Sequence, residues 1–146
     1  EKPRSPKESI FDKNLFLEVL ISGLTIGLIV FVIWIFLIKK INMDVNLARG
    51  YIMVLMVFMQ NIHVLNCRSE KTSAFKISLK KNTLIPIVIV GSIILQIIVM
   101  ENNLLSKFLN ASKVPIIDML ELLGFSAIIL VVLEIFKYIK RKLKAF

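Results

Sequence analysis

Residues 48–70 read ARGYIMVLMVFMQNIHVLNCRSE. Most of this stretch is apolar enough to lie in a bilayer, yet Gln60, Asn61 and His63 fall well inside it. Lipid offers such groups no hydrogen-bond partner, so they persist where they meet protein, a water-filled cavity or an ion. The segment is therefore both a spanning helix and the first place to look for function.

The rest of the chain repeats the apolar signal without the polar centre. Apolar blocks at 15–38, 84–100 and 116–135 join the block at 48–65. Each is close to the roughly 20 residues that a helix needs to cross about 30 Å of hydrocarbon. The 146 residues are 57% hydrophobic, with mean hydropathy +0.81. The expected fold is all-α: one membrane domain over residues 1–146 with four transmembrane helices. Pro86 falls in the first turn of the third span and Pro115 just before the fourth, both tolerated helix-start positions. Gly23 and Gly27 form a small-xxx-small pair in the first span, which suits close approach of another helix.

Charge sets the orientation. The net charge is +9, from 19 basic and 10 acidic residues. Fourteen of the basic residues lie in the N-terminal segment, the loop after the second span and the tail, against five in the other two loops. The positive-inside rule then puts both termini and the middle loop in the cytoplasm. Because these cations flank apolar blocks, membrane lipid is the expected counter-charge and nucleic acid is not an expected partner. In the tail, Lys137, Lys140, Arg141 and Lys144 follow i, i+3, i+4, i+7 and read as one basic face toward head groups. Glu18 is expected to reach the head groups at the start of the first span.

No soluble catalytic apparatus is visible. There is no Gly-rich phosphate loop, Cys/His cluster or nucleophile elbow. His63 is the only histidine and Cys67 the only cysteine, so neither an intrachain disulfide nor a His-based metal site can be built from this chain alone. Gln60 and His63, three apart, share a helix face with Met53 and Met56, and Asn61 is turned about 100° away. An amide oxygen at Gln60 could serve a hard cation or orient water. Equally, Gln60 and His63 could be interhelical hydrogen-bonding glue.

At this point a resemblance is visible. The run ARGYIMVLMVFMQNIHVLNCRSEKTSAF resembles the eighth transmembrane helix and following loop of P-type cation-transporting ATPases of the calcium-pump branch. EKPRSPKESIFDKNL resembles the lead-in to their seventh helix, and VPIIDMLELLGFSAIILVVLEIFKYIKR their tenth. The resemblance implies the last four of ten helices, buttressing the transport helices of an ATP-driven cation pump, with calcium as the expected cargo. It implies as partners the remaining helices and cytoplasmic domains, the transported cation and membrane lipid. Mg²⁺ and ATP would serve the whole pump, with no cofactor in these residues and no catalytic residue. The phosphorylated aspartate with its DKTGT surroundings and the nucleotide-binding domain do not occur in this sequence, so enzyme activity would belong to the parent protein. The setting expected is a bacterial plasma membrane.

In two-site calcium pumps a glutamate of the eighth helix contributes to one ion site, and the matching position here is Gln60. His63 falls where such pumps often have Asn. These departures resemble pumps that carry one calcium per cycle, and sodium pumps of the wider family can also have Gln here. Two other readings compete. One is a free-standing four-helix accessory or regulatory membrane protein without catalysis, against which the absence of an initiator methionine argues. The other is an intramembrane enzyme using His63, which would need a second catalytic group where only Gln96 is present.

Overall fold

A computed structural model describes residues 13–67 and 83–143. These form α1 (Lys13–Lys39), α2 (Val45–Asn66), α3 (Leu84–Glu101), α4 (Asn103–Phe108) and α5 (Ile116–Leu143). Among the described residues there is no strand, and α1, α2, α3 and α5 are long and apolar enough to cross a membrane. The expected all-α fold with four spans is observed.

Local chemistry explains the helix ends. Asn42 has φ +52°, a left-handed conformation that Asn tolerates, and the chain turns there from α1 into α2. The Asp44 carboxylate then accepts from the amides of Asn46 (2.9 Å) and Leu47 (3.1 Å). This satisfies two of the free N–H groups at the start of α2. That cap starts α2 at Val45, three residues before the apolar pattern at Ala48. Asn102 repeats the device, accepting from Leu104 (2.9 Å) and Leu105 (3.1 Å). It ends α3 and nucleates α4, a short helix within what the sequence reads as a polar loop. Pro115 supplies the carbonyl for the amide of Met119 at 3.0 Å, so it opens α5 where its missing N–H costs nothing.

The core lies between α2 and α5. Val54, Leu55, Phe58 and Met59 meet Met119, Leu122, Ile129 and Leu133, and Ile26, Ile29 and Ile33 of α1 pack on this seam. Beyond the seam, α1 and α3 are largely exposed, with Leu28 at 62% and Ile87 at 65%. Faces this apolar demand lipid or further helices rather than water.

At the α4 end, the Ser112 amide donates to the Asn46 carbonyl at 2.8 Å. A Cβ on Gly50 would lie 2.2 Å from the Ser112 carbonyl oxygen. Only glycine lets the α4–α5 connection settle on α2 at this point. Nearby, the Tyr51 hydroxyl donates to Asp118, linking α2 to α5. On the rim, the Lys113 ammonium pairs with Glu101 at 2.6 Å.

Candidate functional site

The three polar residues of α2 separate into different environments. Gln60 is exposed on the outside of the bundle, and Met56 beside it is 38% exposed. Met53 and His63, on the same stripe, are half-buried. The stripe thus opens away from the α2–α5 seam. Among the described residues there is no group of three or more His, Cys, Asp or Glu side chains able to hold a metal.

Asn61 faces α3. The Ser92 hydroxyl lies 2.9 Å from Asn61 Oδ1 and 2.8 Å from the Ile89 carbonyl. Its single proton serves one of the two acceptors at a time. Asn61 is thereby placed as an interhelical contact, while its Nδ2 has no hydrogen-bond partner among the described residues. His63 Nε2 lies 3.4 Å from the Cys67 sulfur one turn on.

Two residues depart from expectation. Lys137 is 1% exposed and Glu18 is 5% exposed, so neither reaches out to head groups. The Lys137 ammonium donates to the Asn66 carbonyl at 2.6 Å and to Asn66 Oδ1 at 2.9 Å. The reason is the end of α2. Its last carbonyls have no partner within the helix, and a cation suits the negative end of the dipole. A buried ammonium in turn requires acceptors. The fully buried Asn66 supplies two.

Cys67, just past the end of α2, feels both charges. Loss of hydration pushes its thiol pKa up although the side chain still touches solvent, Glu18 adds to the rise and Lys137 opposes it. Glu18, His63, Asn66, Cys67 and Lys137 therefore gather at one end of α1, α2 and α5. The sequence reading missed this cluster. Its one available signal is phase: Leu122, Ser126, Ile129, Leu133 and Lys137 continue one buried stripe of α5 at spacings of three and four.

A bundle of four apolar spans with polar residues inside one of them defines a polytopic integral membrane protein. Residues 1–139 match the family described as "Cation transporting ATPase, C-terminus", and the chain belongs to that family. It is 32% identical over 142 residues to the Calcium-transporting ATPase type 2C member 1 of Homo sapiens, covering 95% of this chain and 15% of that protein. It is 29% identical over 127 residues to a Calcium-transporting ATPase of Bacillus subtilis, covering 87% of this chain and 14% of that protein. Against the type 2C member 2 protein of Rattus norvegicus the identity is 27% over 139 residues, covering 92% and 14%. The chain thus spans about one-seventh of the length of these relatives. The resemblance to the C-terminal helices of calcium-type pumps is borne out, and the free-standing accessory protein is not supported.

Proposed function

We propose that residues 1–139 and their short extension form the C-terminal membrane domain of an ATP-driven calcium export pump. The reading rests on the family match over 1–139 and on relatives named calcium-transporting ATPases. Its role is to buttress the transport helices and to lend the Gln60 face to the ion pathway. One observation carries this role: Gln60 lies within α2, six residues before the end of that helix at Asn66, with its side chain exposed on the outside of the bundle. A polar amide there needs a partner beyond the described helices, because lipid supplies none.

Gln60 contributes a neutral oxygen where a carboxylate would contribute charge. A site with fewer carboxylates holds a divalent ion less tightly, which fits transport of one calcium per cycle. ATP and Mg²⁺ act in the remaining domains of the pump, and lipid covers the outer faces of α1 and α3. In this reading the membrane is a bacterial plasma membrane, although the relatives matched at 32% are mammalian.

The test is transport. Inside-out vesicles bearing the full-length protein should take up calcium on addition of ATP and Mg²⁺. Uptake equal to that of vesicles lacking the protein, with the protein folded and in the membrane, would refute the reading.

A further inference from the structure

The connection between α3 and α5 carries two separate faces. Along α4 and the two residues that close it, Leu104, Leu105, Phe108 and Leu109 fall within one arc of about 140° at about 100° per residue. Asn103, Ser106, Lys107 and Asn110 fall within the opposite arc. These four polar residues line a crevice of about 640 Å³, bordered also by Glu101 and Lys113. Water occupies about 30 Å³ per molecule in the liquid, so the polar side has room to be wet. The apolar side is exposed, and Leu104 at 80% and Phe108 at 82% are the most exposed large apolar side chains among the described residues.

Both ends of α4 hold this orientation. Asn102 caps its first turn. Asn110 has φ +48°, and the Ala111 amide donates to the Ser106 carbonyl at 3.0 Å, a left-handed helix stop. Ala111 is buried, and the bond from Ser112 to Asn46 ties the chain to α2. Turning the apolar arc inward would break these contacts. Depth is set by α3. Its 18 residues rise about 27 Å at 1.5 Å each, close to the roughly 30 Å of hydrocarbon, so Glu101 marks the hydrocarbon edge. α4 begins two residues beyond, and α5 opens with exposed Ile116 and Ile117.

We propose that α4 is an interfacial anchor, with Leu104, Leu105, Phe108 and Leu109 immersed among the acyl chains of the leaflet at this end of the bundle and the opposite face bordering water. Interfacial helices have this construction, with Phe and Leu on one side and Lys and polar groups on the other. In water, the same four side chains would form an association-prone patch. Lipid is the occupant because α4 packs next to α3, which is apolar on all sides and buries only Gln96 and Met100. The apolar arc of α4 continues that outer surface. Lys107 stands on the opposite face, where its ammonium stays in the head-group layer. The anchor depends neither on Gln60 nor on the transported ion.

The experiment is site-directed spin labelling of the full-length protein in a cysteine-free background, reconstituted in vesicles of phosphatidylcholine and phosphatidylglycerol. Single labels go on Leu104→Cys, Phe108→Cys, Asn103→Cys and Lys107→Cys, with monodisperse elution as the check on folding. Should either apolar variant aggregate, Leu105→Cys or Leu109→Cys takes its place, and Ser106→Cys does so for either polar one. At the apolar positions, collisions with oxygen, which concentrates in hydrocarbon, should exceed those with a water-soluble nickel chelate several-fold. The polar positions should show the reverse. Nickel access at all four would make α4 an aqueous loop, and exclusion of both reagents at the apolar positions would mean that protein covers them. Oxygen dominance at all four would bury the whole helix in hydrocarbon. Each of these three results would overturn the proposal.

Discussion

The Lys137 ammonium lies 2.6 Å from the carbonyl oxygen of Asn66, a residue 71 positions earlier in the chain. This contact closes the C-terminal end of α2 with a charge carried by α5. It fixes the two helices of the core seam relative to each other at the end where Gln60 and His63 lie.

Breaking that contact should be costly. Lys137→Met keeps the aliphatic stem and removes both hydrogen bonds to Asn66, leaving a buried carbonyl without its donor. Hydrogen bonds to a charged group contribute about 1.5–3 kcal/mol each to stability. Removing the buried charge also relieves its desolvation penalty, so a net loss of about 2 kcal/mol is expected in denaturant titration of the full-length protein in detergent. Lys142, exposed and 5.2 Å over the Tyr138 ring, provides the contrast, and Lys142→Met should stay within about 0.5 kcal/mol. Equal effects at the two positions would remove Lys137 from this role. In a double-mutant cycle, Lys137→Met and Asn66→Ala should be non-additive, as expected of direct partners.

Gly50 is the corresponding constraint at the other end. Its missing Cβ leaves room for the Ser112 carbonyl, which is backbone and can move only with the α4–α5 connection. Gly50→Ala should destabilise by about 1–3 kcal/mol through overpacking. Gly91→Ala, where nothing lies within 4 Å, should be neutral or gain up to about 1 kcal/mol of helix propensity. Thermal unfolding of the two variants side by side checks both, and a tolerated Gly50→Ala would contradict the described packing.

The Cys67 thiol should react slowly. Loss of hydration and Glu18 raise its pKa, so less of it is thiolate at neutral pH, and the thiolate is the nucleophile. Its alkylation rate at pH 7 should fall below that of a cysteine placed at Lys142. It should still be climbing at a pH where the reference rate has levelled. A rate at pH 7 that exceeds the reference would mean the cluster stabilises the thiolate instead.

Orientation follows from the distribution of basic residues. With Cys67 replaced by Ser, a cysteine at Asn110 should react with an impermeant thiol reagent in intact cells. One at Lys142 should react only after the membrane is opened. The reverse pattern would invert the topology.

Much of this fold is legible in the sequence because a bilayer imposes length. The four apolar blocks became the four spanning helices, and Pro86 and Pro115 marked helix starts. The ends of α2 and α3 were less legible because they depend on capping by Asp44 and Asn102, which works against the apolar pattern rather than through it. Lys137 was harder still. It stands in a tail with four other basic residues, and its membership of the Ile129–Leu133 stripe competes with its membership of a basic face. The sequence pattern supports both, and burial against Asn66 decides between them. Asn61 and Gln60, adjacent in sequence, took separate surroundings because one residue turns a helix by about 100°.

Gln60 tests the central claim most directly. In the full-length pump, Gln60→Ala should raise the calcium concentration for half-maximal activation of ATP hydrolysis several-fold. The thermal midpoint should hardly move, since a single interhelical polar contact averages only about 0.6 kcal/mol. Gln60→Glu should lower that concentration where the added carboxylate stays ionised. The contradictory result is unchanged calcium activation in Gln60→Ala together with a lowered thermal midpoint, which would make Gln60 a packing contact and this bundle a buttress alone.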